Sequence, residues 1–186
     1  MISKLATITL LSTIAAASPA AGQRGKPTTP VVKGSDRNFK AWNLHCETRT
    51  EPAPRLQVCG LISTVTLKNE QGASGVALKL MFRSVPGAAG RQLSVDVPIT
   101  AWLPEGIRLV HQGREVMRLP FVACQPNSCE AGAVLTPEQV AALVAASGQM
   151  DAVYKVQTQQ TVTLTFSMYG FPEGISALEA SLSNGG

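Results

Sequence analysis

Past residue 38 the chain alternates apolar and polar side chains with period two. Trp42, Leu44 and Cys46 fall on one face of an extended run from Phe39 to Cys46. Leu56 to Leu67 is a second apolar run rich in β-branched residues, and Val76, Leu78, Leu80 and Phe82 alternate with Ala77, Lys79, Met81 and Arg83. Leu93, Val95, Val97 and Ile99 alternate with Gln92, Ser94 and Asp96; Ile107 and Leu109, then Val162, Leu164, Phe166 and Met168, continue the pattern. Strict alternation buries one face of a strand and wets the other, as antiparallel sheets require. Turn formers punctuate the runs at Pro86-Gly87, Pro104-Glu105-Gly106 and Gln112-Gly113.

One segment departs from period two. Thr136-Pro137-Glu138-Gln139 opens VAALVAAS, and Gly148 follows it. Thr136 suits an N-cap, Pro137 the first helical position, Gln139 a capping box and Gly148 the terminus. This predicts the main helix over residues 136–147, with Val140, Leu143 and Val144 facing the sheet at i, i+3 and i+4. A short C-terminal helix is predicted over Ile175 to Leu182. The expected architecture is mainly β: an antiparallel sandwich or a partly open barrel carrying that helix.

The first 22 residues change the setting. A short basic opening, Met1 to Lys4, precedes the apolar LATITLLSTIAAA of Leu5 to Ala17 and then small residues suited to cleavage. That is the layout of a signal peptide over residues 1–22, too short to span a bilayer, which takes about 20 apolar residues. The mature chain is expected to begin at Ala21 or Gln23. Residues 23–38 read as a flexible lead-in, 39–182 as one β domain and 183–186 as a tail. The domain's roughly 145 residues suffice for a real core. Removing Lys4 from 16 basic residues leaves 15 against 12 acidic ones, a net charge of +3. So small and dispersed an excess argues against nucleic acid as a partner. No later segment reaches membrane-spanning length.

In an exported protein, four cysteines read first as two disulfides. The local pairing, Cys46 with Cys59 and Cys124 with Cys129, is favoured because each pair closes a hairpin-like turn. In the chain-entropy model the loops contribute about 3 and about 2 kcal/mol. Zinc would want two close ligand pairs or added histidines, and only His45 and His111 exist. A redox pair normally has two intervening residues at a helix start, whereas Cys124 and Cys129 enclose four, Gln125-Pro126-Asn127-Ser128. Leu119-Pro120-Phe121 is expected to run as a strand into Cys124, and Asn127 in the turn would tolerate a left-handed conformation.

Catalytic constellations do not emerge. There is no Gly-x-Ser-x-Gly elbow, Ser-x-x-Lys pair, phosphate loop or His-Glu-x-x-His helix. His45 reads as a solvated strand residue and His111 as a turn-flanking one; Asp96 and Glu105 read as solvated single carboxylates. Trp42 reads as core. Trp102, just before Leu103-Pro104, is the better placed of the two tryptophans for ligand contact.

Several stretches together resemble the invasion-associated locus B family of exported bacterial proteins. They are Phe39-x-x-Trp42-x-Leu44-x-Cys46, then Cys59; Val97-Pro98-Ile99 leading to Leu103-Pro104-Glu105-Gly106-Ile107-Arg108-Leu109; Leu119-Pro120-Phe121-x-x-Cys124-x-Pro126-x-x-Cys129; and Gly170-Phe171 with Ala177-Leu178. Asn127-Ser128 departs from the glycine often found in that hairpin tip. The resemblance implies an envelope or secreted β-rich protein, linked by family name to host-cell invasion, and transfers no catalytic residue. The reading is an exported, non-enzymatic binding module without metal or cofactor. It would sit in the periplasm, at the outer membrane or outside the cell, with a protein or envelope component as partner. The alternatives are a hydrolase using Asp96, Glu105 or His111, and a carrier of small apolar ligands in a barrel interior.

Overall fold

The computed structural model describes residues 31–49, 56–84 and 90–183. The predicted signal peptide, the first part of the predicted lead-in, the predicted turns at Glu51 to Pro54 and Pro86-Gly87, and the last residues of the tail lie outside them. Within them the chain forms two antiparallel sheets and two helices. One sheet has seven strands in the order β1 (Val31–Phe39), β2 (Trp42–Arg49), β3 (Leu56–Lys68), β4 (Ser74–Ser84), β5 (Arg91–Pro98), β9 (Ser128–Leu135), β8 (Phe121–Cys124). The other has four: β11 (Thr161–Ser167), β10 (Gln149–Lys155), β6 (Ile107–His111), β7 (Arg114–Leu119). Neither sheet closes into a barrel, so the architecture is a β-sandwich.

The period-two positions build the core. Trp42, Leu44, Leu61, Leu80, Phe82, Leu93 and Val95 from one sheet meet Ile107, Leu109, Met150, Ala152 and Phe166 from the other, all buried. Two positions of the pattern escape burial: Val76, at 58% exposure, lies beyond a register break in the β3–β4 pairing, and Ile99, at 45%, lies past the end of β5. The gap lined by Trp42, Leu109, Leu143 and Phe171 measures about 10 Å³, at the margin of a single water. With neither sheet closed, the described residues form no barrel interior of the kind the apolar-ligand carrier reading needs.

Three local expectations change. Phe39 to Cys46 is not one strand: the chain turns at Lys40-Ala41, Phe39 pairs with Trp42, and Lys40 takes φ 56°. The sheet therefore takes in Val31 to Asn38, residues the sequence assigns to the lead-in. The polar run there needs no buried face, since β1 is an edge strand held by backbone bonds to β2. Gly170 locks this turn, because a Cβ there would lie 1.9 Å from the Phe39 carbonyl oxygen at φ 90°. The second change is at Pro120. Leu119 ends β7 in the four-stranded sheet and Phe121 begins β8 in the seven-stranded one. Proline has no N–H for a ladder, so the chain changes sheets there; its carbonyl accepts from Gly132 N at 2.9 Å.

The third change concerns the helices. Helix α1, Pro137–Ala145, starts at the predicted capping box: Thr136 Oγ1 accepts from Gln139 N and Gln139 Oε1 accepts from Thr136 N. Leu143 is buried and Val140 half-buried, but Val144 is 36% exposed, and Ala146 beyond the helix is buried instead. The longer helix is α2, Phe171–Ser183, starting four residues before the predicted Ile175. It packs on β1, β2 and β3 and inserts Phe171 against Trp42, with ring centroids 4.7 Å apart. Because Leu143 ties α1 to the core, Leu143→Ala should cost about 2–5 kcal/mol in denaturant unfolding; Val144→Ala should change it by less than about 0.5.

Candidate functional site

The residues proposed for hydrolysis do not converge. Glu105 precedes β6 and His111 ends it, so the two lie about 20 Å apart at roughly 3.3 Å per residue. Glu105 accepts an ion pair from Lys155 at 2.6 Å, and His111 donates from Nε2 to the Ser147 carbonyl at 2.9 Å. Asp96 is in the other sheet, in a cross-strand row with Lys79 and Glu130. His45 donates from Nδ1 to Asp36 Oδ1 at 2.6 Å. Each titratable group is thus engaged locally, and Asp96, Glu105 and His111 form no common site.

Asp96 carries an electrostatic burden. Partial burial raises its pKa above the usual 3.8, Glu130 directly opposite raises it further, and Lys79 lowers it. The folded state therefore holds the proton more tightly than the unfolded chain, and stability falls as pH rises through the carboxylate range. Asp96→Asn should raise the melting temperature at pH 7, by the equivalent of about 0.5 kcal/mol. The gain should vanish below the unfolded carboxylate pKa, near 3.8. A melting series from pH 3 to 8 measures this.

Trp102 lies on a different kind of surface. Ile99, Trp102 and Leu103 are 45%, 37% and 45% exposed on the loop leaving β5. The loop's backbone is pinned nevertheless. Ala101 bridges Val156, Trp102 N donates to Lys155 O at 2.8 Å, and Gln157 N donates to Thr100 O at 2.9 Å. A 3-10 turn, Leu103–Glu105, ends at Gly106, where φ is 68° and a Cβ would lie 2.4 Å from the Leu119 carbonyl oxygen. Only glycine fits that approach. The apolar tips are therefore presented by a held loop.

Sheet register puts two further tips at the same end. Pro98 pairs with Ser128, so the Cys124–Cys129 turn starts beside the loop. Lys79 pairs with Asp96, so the start of β4 and the end of β3 reach past Pro98, carrying Val76 and Leu67, 58% and 52% exposed. The sequence pointed to Trp102 alone. Leu67, Val76 and Ile99 were hidden by a pattern that reads them as strand interior.

Both disulfides form as the local pairing predicts: Cys46 with Cys59 and Cys124 with Cys129. Each Cα–Cα distance is 4.0 Å, shorter than the ~4.4–6.8 Å usual for disulfides. The members of each pair are register partners on adjacent antiparallel strands, where Cα atoms approach to about 4.5 Å. Gln125 N donates to Ser128 O at 2.7 Å, and Asn127 is not among the residues at positive φ. The left-handed allowance at Asn127 goes unused.

One family model, described as invasion associated locus B (IalB) protein, matches residues 42–179. The chain belongs to the IalB family. The crystal structure of invasion associated protein b from Bartonella henselae has a similar fold, with a TM-score of 0.64 at 16% sequence identity. The match covers 80% of this chain and 99% of that one. No match is found among curated proteins. Among the described residues of this IalB-family chain, no helix is long and apolar enough to cross a membrane.

Proposed function

We propose that this IalB-family protein is an exported, non-enzymatic binding module of the bacterial envelope, and that the Trp102 loop is its contact surface. The observation that carries the reading is an apolar surface offered on a rigid backbone. Ile99, Trp102 and Leu103 are exposed while hydrogen bonds and Gly106 fix the chain beneath them. Exposed apolar clusters on a folded protein mark interaction sites, and a preorganised loop loses little entropy when it binds. Two disulfides and the N-terminal signal pattern support folding outside the cytoplasm. The partner is a protein or other envelope component, and contact with a host cell is the finer role the family's name suggests.

A photo-crosslinking amino acid at position 102, in cells fractionated into periplasm, outer membrane and medium, tests this reading. It should yield a defined adduct that Ile99→Asp or Leu103→Asp abolishes. Absence of any adduct, or adducts insensitive to both substitutions, would exclude the loop as a contact surface. The same fractions should hold a chain beginning at Ala21 or Gln23; retention of Met1 would overturn export.

A further inference from the structure

We infer that the wet face of the seven-stranded sheet holds a second site, for a carboxylate with a small apolar body. The site is a groove of about 230 Å³ across β2, β3 and β4. Its centre is a single cross-strand row in which His45 pairs with Gly60 and Gly60 with Arg83. Adjacent strands lie about 4.8 Å apart, so the His45 and Arg83 side chains stand on either side of a position with no side chain. Val58, Ile62 and Met81 supply the apolar lining.

Arg83 is set for an anion. Its Nε donates to Gln92 Oε1 at 2.9 Å, which fixes the guanidinium plane. Among the described residues its two terminal nitrogens have no hydrogen-bond partner. A held guanidinium with both Nη groups free is the donor pair that a carboxylate accepts in fork geometry. Across the gap, the bond from Nδ1 to Asp36 orients the His45 ring.

The missing side chain at Gly60 has no backbone cause. Gly60 is not among the glycines at positive φ, and a Cβ there would meet Arg83 Cβ and Phe82 O at 3.5 Å, ordinary contact. Alanine would fit there and would favour a strand over glycine. Glycine there leaves the groove open. Size and charge then narrow the ligand. About 230 Å³ is less than the roughly 300–1,000 Å³ of drug-sized ligand sites, so the site suits a short acid or one terminal residue of a peptide. Glu47 also borders the groove. The free acid and the C-terminus of a peptide share this chemistry.

The site does not involve Trp102, so its failure leaves the loop reading standing. Amide NMR titration of the mature, disulfide-bonded protein tests it with hexanoate and with a tripeptide ending in free leucine. The controls are hexanamide and the amidated tripeptide. Shifts should centre on Gly60, Ile62, Met81 and Arg83, and at least one acid should bind tenfold or more tighter than its amide. Binding of hexanoate assigns the free acid as source; binding of the peptide alone assigns the C-terminus. Arg83→Gln should weaken the bound acid at least tenfold. Gly60→Val should abolish its binding without lowering the melting temperature. Equal affinity for acid and amide, unchanged binding in folded Arg83→Gln, or shifts centred elsewhere would overturn the site.

Discussion

Trp42→Ala should lower the unfolding free energy by about 3–5 kcal/mol and the melting temperature by roughly 10–20 °C. Trp42 is 1% exposed, touches Phe171 at 4.7 Å between ring centroids, and donates from Nε1 to the Ser167 carbonyl at 2.9 Å. Phe171 in turn meets the Phe82 ring edge-on at 5.3 Å. One side chain therefore joins β2 to β11 by a hydrogen bond and to α2 by a ring contact. Deleting it opens a cavity and removes the donor to Ser167, two penalties of different origin. Trp42→Phe separates them: it keeps a ring for Phe171 and should lose no more than about half as much. Denaturant unfolding reads both, and a loss below about 1 kcal/mol for Trp42→Ala would mean that α2 is not anchored there.

That junction also marks where sequence reading stops. Trp42 as core followed from its alternation with Leu44 and Cys46, which is local information. Its partner did not, because Phe171-Pro172-Glu173-Gly174 looks like a turn. Proline is tolerated in a first helical turn, but glycine weakens a helix by about 1 kcal/mol relative to alanine. At Gly174 tertiary contact decides otherwise: a Cβ would sit 2.7 Å from Leu61 Cδ2. The glycine is where the helix meets β3. Close approach of two elements distant in sequence leaves no periodicity to read.

The Trp102 loop was half legible for a related reason. Its tryptophan and Pro-Glu-Gly turn are visible as residues, and the cysteine spacing predicted both staples. Exposure of Ile99 and Val76 depends on where β5 ends and where β4 breaks register with β3, which no local pattern records. The groove was less visible still. His45, Gly60 and Arg83 are spread over β2, β3 and β4 and become neighbours only through register.

The two disulfides should separate under reduction. Cys46 and Cys59 are 4% and 1% exposed, facing the core beneath β2 and β3, whereas Cys124 stands exposed at a hairpin tip with only Cys129 buried. Thiol exchange needs a thiolate to reach a sulfur, so mild reduction at neutral pH followed by alkylation should label Cys124 and Cys129 well before Cys46 and Cys59. Energetically the order reverses. The 13-residue separation of Cys46 and Cys59 closes the larger loop, against 5 for Cys124 and Cys129. Chain entropy then assigns them about 3 and about 2 kcal/mol. Replacing Cys46 and Cys59 together by Ala should therefore cost about 3 kcal/mol or more, since β2 and β3 also lose a buried sulfur contact in the core. Replacing Cys124 and Cys129 together by Ser should cost about 2 kcal/mol and leave the strand content intact. Because Ser128 pairs with Pro98 beside the loop, the second variant should also weaken crosslinking through position 102 while the first leaves it unchanged at temperatures where both are folded. Early labelling of Cys46 would contradict the buried position of β2 and β3 in the sandwich.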